Sequence, residues 1–331
     1  MDSLTHIVLG AATGGAVLEK KVGNKALFWG AIAGSLPDFD SIITPLFEPV
    51  QALFLHRGFS HSILFAFIAA PLLGWIISKI HKDKLFKHWT VLSLISILTH
   101  SLLDILNTYG TATLAPFSQA RLSFDAIGII DFFLLVPIVV LMVLLIKKPK
   151  YSRGRRLLSY SILGYVFLFI SMATLNKLHI ESKAKEQLAQ HSIEYSRLKS
   201  APLPVTNFLW LVVAEDSSGY HFGYIGNFDK HDTEFHYVKR NADLLDGIKN
   251  NEKILKLIRF TDGYYTVNKK DDNSLWLYDL RYGSMAFKDT QGWYVFSFQI
   301  TDEDSNIKIS RAHPNRKFNF NTFAEYWKRV F

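Results

Sequence analysis

The sequence predicts an α-helical integral membrane domain of about six helices, the first two short, followed by an extracytoplasmic α+β domain with an antiparallel sheet. The 331 residues are 49% hydrophobic and only 20% charged, with a mean hydropathy of +0.12, which is too apolar for a soluble protein of two domains. The apolar residues are concentrated before residue 180, and the composition becomes that of a soluble domain from about residue 183. We therefore predict two domains, 1–180 and 181–331.

Apolar runs locate the predicted helices. A membrane-spanning helix needs about 20 residues, and four runs approach this length: 63–80, 89–107, 127–146 and 157–178. Two shorter, glycine-containing runs, 4–18 and 26–36, precede them and favour partial-depth or tilted helices packed inside a bundle. The start Met1-Asp2-Ser3 lacks the basic segment of a secretory signal peptide, so we expect the first helix to belong to the mature protein.

The basic residues predict the orientation of these helices in the cell membrane. Of sixteen lysines and arginines before residue 183, thirteen fall in three connectors, at 20–25, 79–87 and 147–156. Basic connectors favour the cytoplasmic side, so both termini and the domain after residue 180 are predicted to lie outside the cytoplasm. The same distribution accounts for the net charge of +8 without a nucleic-acid partner.

The second domain shows the alternation that is typical of half-buried strands. We predict a short amphipathic helix over 184–198 and a terminal helix over 322–331. The predicted strands are 207–214, 219–225, 263–268, 274–280 and 293–300. The domain has no phosphate-binding glycine loop and no nucleophile elbow, and its scattered histidines, 221, 231 and 236, are interpreted as surface residues.

Histidine and aspartate clusters in the first domain suggest a metal site. The chain has no cysteine, so imidazole and carboxylate are the ligands available. His100 and Asp104 lie in an apolar run, where an ionisable side chain costs at least ~2.5–3.5 kcal/mol, and their spacing of four places them on one helix face. Asp2 and His6 have the same spacing. The full set of predicted metal ligands is Asp2, His6, Asp38, His56, His61, His100 and Asp104.

Other polar residues are predicted to act beside these ligands. Asp40 is a further ligand or the base that takes a proton from water, and Arg57 neutralises a phosphate oxygen. Ser62 and Asn107 orient ligands. Asp131 either supports the site, pairs with Arg57 or Arg121, or lies at the membrane interface. This number of candidate ligands is enough for two or more divalent ions. Zinc is the expected metal, with manganese or iron as alternatives.

Each cluster also has an ordinary explanation. His6 alone would be a capping or surface residue, and Asp38 and Asp40 would cap a following helix. His56 and His61 would face lipid headgroups. The pair within the apolar run is hardest to explain in this way, because a membrane interior penalises unpaired polar groups.

The motifs resemble those of the YdjM-like family of membrane-bound proteins, described as metal-dependent hydrolases. They are Met1-Asp2-x-x-Thr5-His6, Pro37-Asp38-x-Asp40, His56-Arg57-Gly58-x-Ser60-His61-Ser62 and His100-x-x-x-Asp104-x-x-Asn107-Thr108-Tyr109-Gly110. The resemblance covers roughly residues 1–180 in motif order and implies a hydrolase. The arrangement is also distantly similar to zinc-dependent phospholipases C, whose site is all-helical and rich in His and Asp; this similarity is an analogy.

Two functions of different classes follow from these residues. The first is a metal-dependent hydrolase that cleaves a lipid-borne phosphoester at the outer membrane surface, with membrane lipids as its substrate. The alternative is a non-enzymatic membrane scaffold, transporter or sensor in which the same ligands hold a structural ion. Intramembrane proteolysis fits poorly, because the chain lacks the His-Glu-x-x-His helix of zinc proteases.

Overall fold

The computed structural model describes residues 1–283, 294–303, 306–312, 327 and 329–331. It divides into two compact units. The first consists of Met1–Leu46 and Phe54–Thr174, and the second of Phe47–Leu53 and Leu175–Phe331.

The N-terminal region is helical, as predicted. Its helices are α1 (Ser3–Val17), α2 (Glu19–Val22), α3 (Asn24–Ser35), α4 (Asp40–Ile43), α5 (Pro49–Leu55), α6 (Ile63–His81), α7 (Phe86–Ile105), α8 (Phe132–Lys147) and α9 (Arg153–Gln190). Among the described residues, α6, α7 and α9 are long and apolar enough to cross a membrane, judged by length and composition, whereas α1 and α8 are shorter apolar helices. The short helices α2, α4 and α5 were not predicted.

Two predicted boundaries were wrong. Residues 127–130 precede α8 because Asp131 caps this helix, accepting hydrogen bonds from the backbone N–H groups of Phe133 and Leu134; α8 is therefore 16 residues long. No separate helix spans 184–198, because α9 continues to Gln190 through residues that favour helix and contain neither glycine nor proline. Residues from Arg197 onward form a strand instead.

Helices α1 and α3 pack at unusually close range through glycine. A Cβ atom built on Gly10 would lie 2.3 Å from the carbonyl oxygen of Gly30, and one built on Gly30 would lie 2.2 Å from that of Gly10. Gly14 faces Ala26 and Gly34 faces His6, so the helices run antiparallel. This contact brings the start of α1 beside the end of α3, which leads into Pro37 and Asp38.

The segments before α6 and after α7 also pack together. Ala112 N donates to the carbonyl of Arg57 at 3.0 Å, and Ile63 N donates to that of Thr113 at 3.0 Å. Since α7 lies against both α3 and α6, its C-terminal end, the turn after α3 and the turn before α6 meet at one end of the helices.

The second unit contains two antiparallel sheets rather than the one predicted. The first has the order β1 (Arg197–Pro202), β2 (Leu209–Glu215), β3 (Gly219–Gly226) and β4 (His236–Lys239), and the second has the order β5 (Tyr265–Lys269), β6 (Leu275–Asp279), β7 (Ser297–Glu303) and β8 (Asn306–Ala312). Helix α10 (Glu252–Phe260) lies between them in sequence. The predicted strands overlap β2, β3, β5, β6 and β7, whereas β1, β4 and β8 were not predicted. Most of the predicted terminal helix, 322–331, lies outside the described residues.

Candidate metal centre

Four of the predicted ligands converge in the first unit. They are Asp38, His61, His100 and Asp104, and one donor atom from each lies within 4.8 Å of all the others. Asp38 belongs to a 3₁₀ turn that follows α3, and His61 to a 3₁₀ turn that precedes α6. His100 and Asp104 lie one turn apart on α7. Among the residues that the structure describes, these four form the one such group.

The distances between these donor atoms fit a single four-coordinate ion. His61 Nε2 lies 3.1 Å from His100 Nε2, 3.4 Å from Asp38 Oδ1 and 3.3 Å from Asp104 Oδ2. His100 Nε2 lies 3.5 Å from Asp38 Oδ1 and 3.6 Å from Asp104 Oδ2. Bonds of about 2.0–2.1 Å to a tetrahedral zinc would place neighbouring ligand atoms about 3.3–3.4 Å apart.

The hydrogen bonds of the two histidines aim their Nε2 atoms at the centre of the group. His100 Nδ1 donates to the carbonyl oxygen of Gly34 at 2.6 Å. His61 Nδ1 lies 2.9 Å from Ser60 Oγ and 3.4 Å from Asp40 Oδ2. Metal-binding histidines commonly donate their other N–H to a carbonyl or carboxylate in this way. The remaining nitrogen of each ring is thereby available as a ligand.

The carboxylate of Asp104 is buried beside the guanidinium of Arg57. Its Oδ2 atom is buried and accepts no hydrogen bond from the described residues, although the side chain is fully inaccessible. A buried carboxylate oxygen without a hydrogen bond is costly. Arg57 Nε lies 3.1 Å from this atom, so a guanidinium charge compensates part of the carboxylate. The four-donor group is therefore suited to bind a further cation.

The pKa of His61 responds to the same excess of negative charge. Burial alone would lower it, but the nearby carboxylates of Asp104, Asp38 and Asp40 outweigh burial and raise the pKa to about 9. Burial would raise the pKa of Asp38, but hydrogen bonds from His100 and His61 hold it well below its usual range. The group thus attracts positive charge, as a cation site does.

Asp40 lies behind His61 and outside the four-donor group. Its Oδ1 is 2.8 Å from His56 Nδ1, and its Oδ2 accepts hydrogen bonds from Arg57 N at 3.1 Å and Ser60 Oγ at 2.5 Å. Although burial opposes it, hydrogen bonding to His56, His61 and Ser60 holds the pKa of Asp40 below its usual range. This carboxylate is placed to orient His61 and His56.

Arg57 is buried beside the group in an uncommon backbone conformation. Its φ of 57° lies in the left-handed region, which is strained for a residue other than glycine and is often found at functional sites. Its Nη1 donates to Asn107 Oδ1 at 2.6 Å, and its guanidinium carbon lies 5.0 Å from the ring centre of Tyr109. Asn107 therefore fixes the guanidinium that contacts Asp104.

His6 contacts the other oxygen of Asp104. Its Nε2 lies 3.2 Å from Asp104 Oδ1, and its ring stacks on His100 with ring centres 3.7 Å apart. The amino group of Met1 contacts the same oxygen. His6 Nδ1 is buried and has no hydrogen-bond partner in the described part of the chain. His6 thus supports the group without belonging to its four donors.

Three other predicted site residues cap helices. Asp2 caps α1 through Thr5 N at 2.9 Å and Thr5 Oγ1 at 2.6 Å, and Ser62 caps α6 through Phe65 N at 3.0 Å. Asp131 caps α8, its Oδ2 has no hydrogen-bond partner among the described residues, and burial raises its pKa to about 6. The described residues show no ion pair between it and Arg57 or Arg121.

Some contributors were not identified from the sequence. The carbonyl of Gly34 and the hydroxyl of Ser60 orient the two histidines, and Tyr109 lies against Arg57. Ser60 and Tyr109 stand inside the quoted motifs, so their position was a usable signal. A backbone carbonyl such as that of Gly34 leaves no signal in residue type.

The comparisons with known proteins each cover part of the chain. The chain is 32% identical over 143 residues to the uncharacterized protein YfhP of Bacillus subtilis (strain 168), covering 41% of this chain and 43% of that protein. It is 33% identical over 120 residues to the inner membrane protein YbcI of Escherichia coli (strain K12), covering 36% and 69%. No solved structure matches. The YdjM inner membrane protein model matches residues 1–180, a segment that contains the entire four-donor group, and the chain therefore belongs to the YdjM inner membrane protein family.

Proposed function

We propose that this chain is a membrane-embedded, metal-dependent hydrolase that cleaves a phosphoester of a lipid or another amphiphile at the outer membrane surface. The observation that carries the proposal is the buried group of two imidazoles and two carboxylates, whose donor atoms have the spacing of metal ligands. Such a group inside an apolar helical unit needs a strong compensating interaction, because unpaired charges there are costly.

Membrane placement forms part of the proposal. Helices α6, α7 and α9 are the candidate spans, and the basic connectors around residues 20–25, 79–87 and 147–156 would face the cytoplasm. The four-donor group lies at the opposite ends of α6 and α7 from the connector between them. It would therefore open to the outer surface, where the domain over 181–331 would also lie.

The group has one side on which a substrate could approach. The side chain of Asp38 is 18% exposed, whereas those of His61, His100 and Asp104 are fully buried. Apolar residues follow Asp38 and are exposed: Phe39 by 51% and Ile42 by 71%. Exposed apolar side chains beside a polar site fit an amphiphilic substrate at a membrane interface.

Each residue of the site has a proposed task. A bound divalent ion would lower the pKa of a water molecule and polarise a phosphoryl oxygen. Asp40 would hold His61 in its ligand orientation, and Arg57 would hold Asp104. His56 has a 27% exposed side chain held by Asp40, so its Nε2 is placed to exchange a proton with a leaving group or with water. We therefore assign Asp40 to positioning rather than to the predicted base.

The test is metal content and hydrolysis by the whole chain purified in detergent. We expect at least one equivalent of zinc, manganese or iron, and metal-dependent cleavage of a phospholipid or polyprenyl-phosphate analogue. His100→Gln should abolish both metal retention and cleavage. His88→Gln is the matched control, because His88 lies on the same helix with an exposed side chain. A metal-loaded protein that cleaves none of these substrates would contradict the hydrolase.

A structural ion remains the second candidate, and one observation favours it. Four protein donors within 4.8 Å of one another satisfy the whole coordination shell of a structural zinc, whereas a catalytic zinc keeps a position open. In that case metal would raise the thermal stability of the wild type without supporting hydrolysis. Unchanged stability after complete metal removal would contradict this second candidate.

A further inference from the structure

The second unit contains a cavity of about 560 Å³ that is remote in sequence from the metal ligands. It lies where β4, an edge strand of the first sheet, meets β5, an edge strand of the second. The two edges are joined by isolated hydrogen bonds: Val267 N donates to Arg240 O at 3.1 Å, and the Thr266 hydroxyl donates to Lys239 O at 2.8 Å. Because β4 and β5 are not joined by a continuous ladder of backbone hydrogen bonds, side chains of both strands line an open space between them.

The lining of this cavity is positively charged. It includes Lys239, Lys269 and Lys270, against a single acidic lining residue, Asp243, which leaves a net charge of +2. Within the described part of the chain, none of these lysines is in an ion pair, whereas Lys256 of the same unit pairs with Glu252 at 2.6 Å. Three lysines collected around a cavity with one carboxylate in its lining are suited to bind an anion.

The rest of the lining is mainly polar and aromatic, with Val238 and Leu244 as its two aliphatic residues. Thr266, Asn241 and Asn268 supply hydroxyl and amide groups, and Tyr237 and Tyr278 supply phenol rings. The volume lies within the range of small-molecule sites, roughly 300–1,000 Å³. A simple inorganic anion would fill a small part of this space. The lining therefore suits an organic anion that carries hydroxyl groups.

We propose that this cavity, which we call the lysine cavity, binds a small polyvalent anion with the chemistry of a sugar phosphate or a phosphorylated lipid headgroup. The phosphate would contact the lysines on β4 and β5, and the asparagines and tyrosines would contact the hydroxyl groups. The site is separate from the metal centre, and it stands whether or not that centre is catalytic.

Calorimetric titration of the whole chain in detergent tests the proposal. The soluble probe is glucose 6-phosphate, and the lipid probe is monomeric dihexanoyl phosphatidic acid. Both are titrated into the wild type and into His61→Ala, in which the metal centre is disabled as a competing phosphate site. We expect a dissociation constant below about 1 mM at low salt, which rises with sodium chloride and is the same in His61→Ala.

The lysines provide the decisive variants. Lys269→Gln and Lys270→Gln should each weaken binding about tenfold. Lys256→Gln is the matched control, because Lys256 is also an exposed lysine of the second unit but does not line the cavity. Binding should quench or enhance the fluorescence of Trp276, whose ring centre lies 5.7 Å from Lys270 Nζ, and Trp276→Phe should remove that signal.

The outcomes distinguish a soluble ligand from a lipid headgroup, and they distinguish the lysine cavity from the metal centre. Tighter binding of glucose 6-phosphate identifies a soluble ligand, tighter binding of the phosphatidic acid identifies a lipid headgroup, and either result supports the lysine cavity. The proposal is overturned if neither probe binds, if His61→Ala abolishes binding, or if Lys269→Gln and Lys270→Gln bind as tightly as Lys256→Gln. Failure of hydrolysis at the metal centre leaves each of these results unchanged.

Discussion

A single methyl group at the contact between α1 and α3 would test how tightly the fold is coupled to the metal centre. In Gly30→Ala the new Cβ would lie 2.2 Å from the carbonyl oxygen of Gly10 and 3.1 Å from its carbonyl carbon. Ordinary contacts of this kind begin at 3.4 Å, so the two helices must separate locally by about 1.2 Å. Backbone atoms form the obstacle, and no side-chain rotation can relieve it.

The expected loss of stability is about 1–3 kcal/mol, the usual cost of overpacking. A loss of stability would be informative, because helix propensity alone favours alanine over glycine inside a helix by about 1 kcal/mol and would stabilise the variant. The metal affinity of the four-donor group should also fall. Helix α1 carries His6, and α3 carries Gly34, whose carbonyl accepts a hydrogen bond from His100. Displacing such an orienting group costs about 10–100-fold in metal affinity.

Thermal unfolding and metal retention in detergent measure the two effects. The matched control is Gly164→Ala in α9, because a Cβ there meets no atom within 4 Å and the substitution should leave stability unchanged or raise it. We expect Gly30→Ala to unfold at a lower temperature and to lose metal at lower chelator concentrations than the control. Equal stability of the two variants would refute the close contact, and a destabilised variant with unchanged metal affinity would refute its coupling to the site.

Three further predictions follow from the site and the caps. Asp40→Asn should lower metal affinity about 10–100-fold by releasing His61, whereas Asp2→Asn, which keeps a capping acceptor, should not; equal affinities in a competition titration would contradict the positioning role. Metal added at about 100 times its dissociation constant should stabilise the wild type by about 2.7 kcal/mol and His100→Gln not at all, as thermal melts would show. The folded pKa of Asp131, about 6, exceeds its ordinary value of 3.8, so the free energy of unfolding should fall as pH rises between these values. Melts from pH 4 to 8 should show this fall in the wild type and its absence in Asp131→Asn, which should be more stable by up to about 3 kcal/mol at pH 7.

Hydropathy was sufficient to predict the apolar helices but not their ends. The run over 127–146 continues apolar on both sides of Asp131, and only the hydrogen bonds of that carboxylate make it the residue before α8. Likewise, residues 197–202 carry no strong strand pattern. They form β1 because they pair in register with β2, from Arg197 opposite Glu215 to Pro202 opposite Trp210, a partner that local sequence does not reveal.

The residue types of the site could be identified from the sequence, but the role of each residue could not. Asp38 and Asp40 stand two residues apart with the same side chain, and the spacing gives no reason to separate them. The turn after α3 directs Asp38 toward the imidazole Nε2 atoms, whereas Asp40 begins α4 and contacts the far side of His61. The backbone between α3 and α4 therefore decides which carboxylate belongs to the four-donor group and which one orients His61.

The charge balance of the four-donor group connects its fold to a choice of substrate. In the metal-bound state His61 and His100 would be neutral ligands, so the carboxylates of Asp38 and Asp104, the guanidinium of Arg57 and a divalent ion would sum to a charge of +1 in a largely buried place. A buried site with surplus positive charge attracts an anionic ligand more strongly than a neutral one. Charge therefore favours a phosphoester over a peptide or a neutral glyceride as the substrate of the proposed hydrolase, and Arg57, held by Asn107, is the residue on which that preference depends.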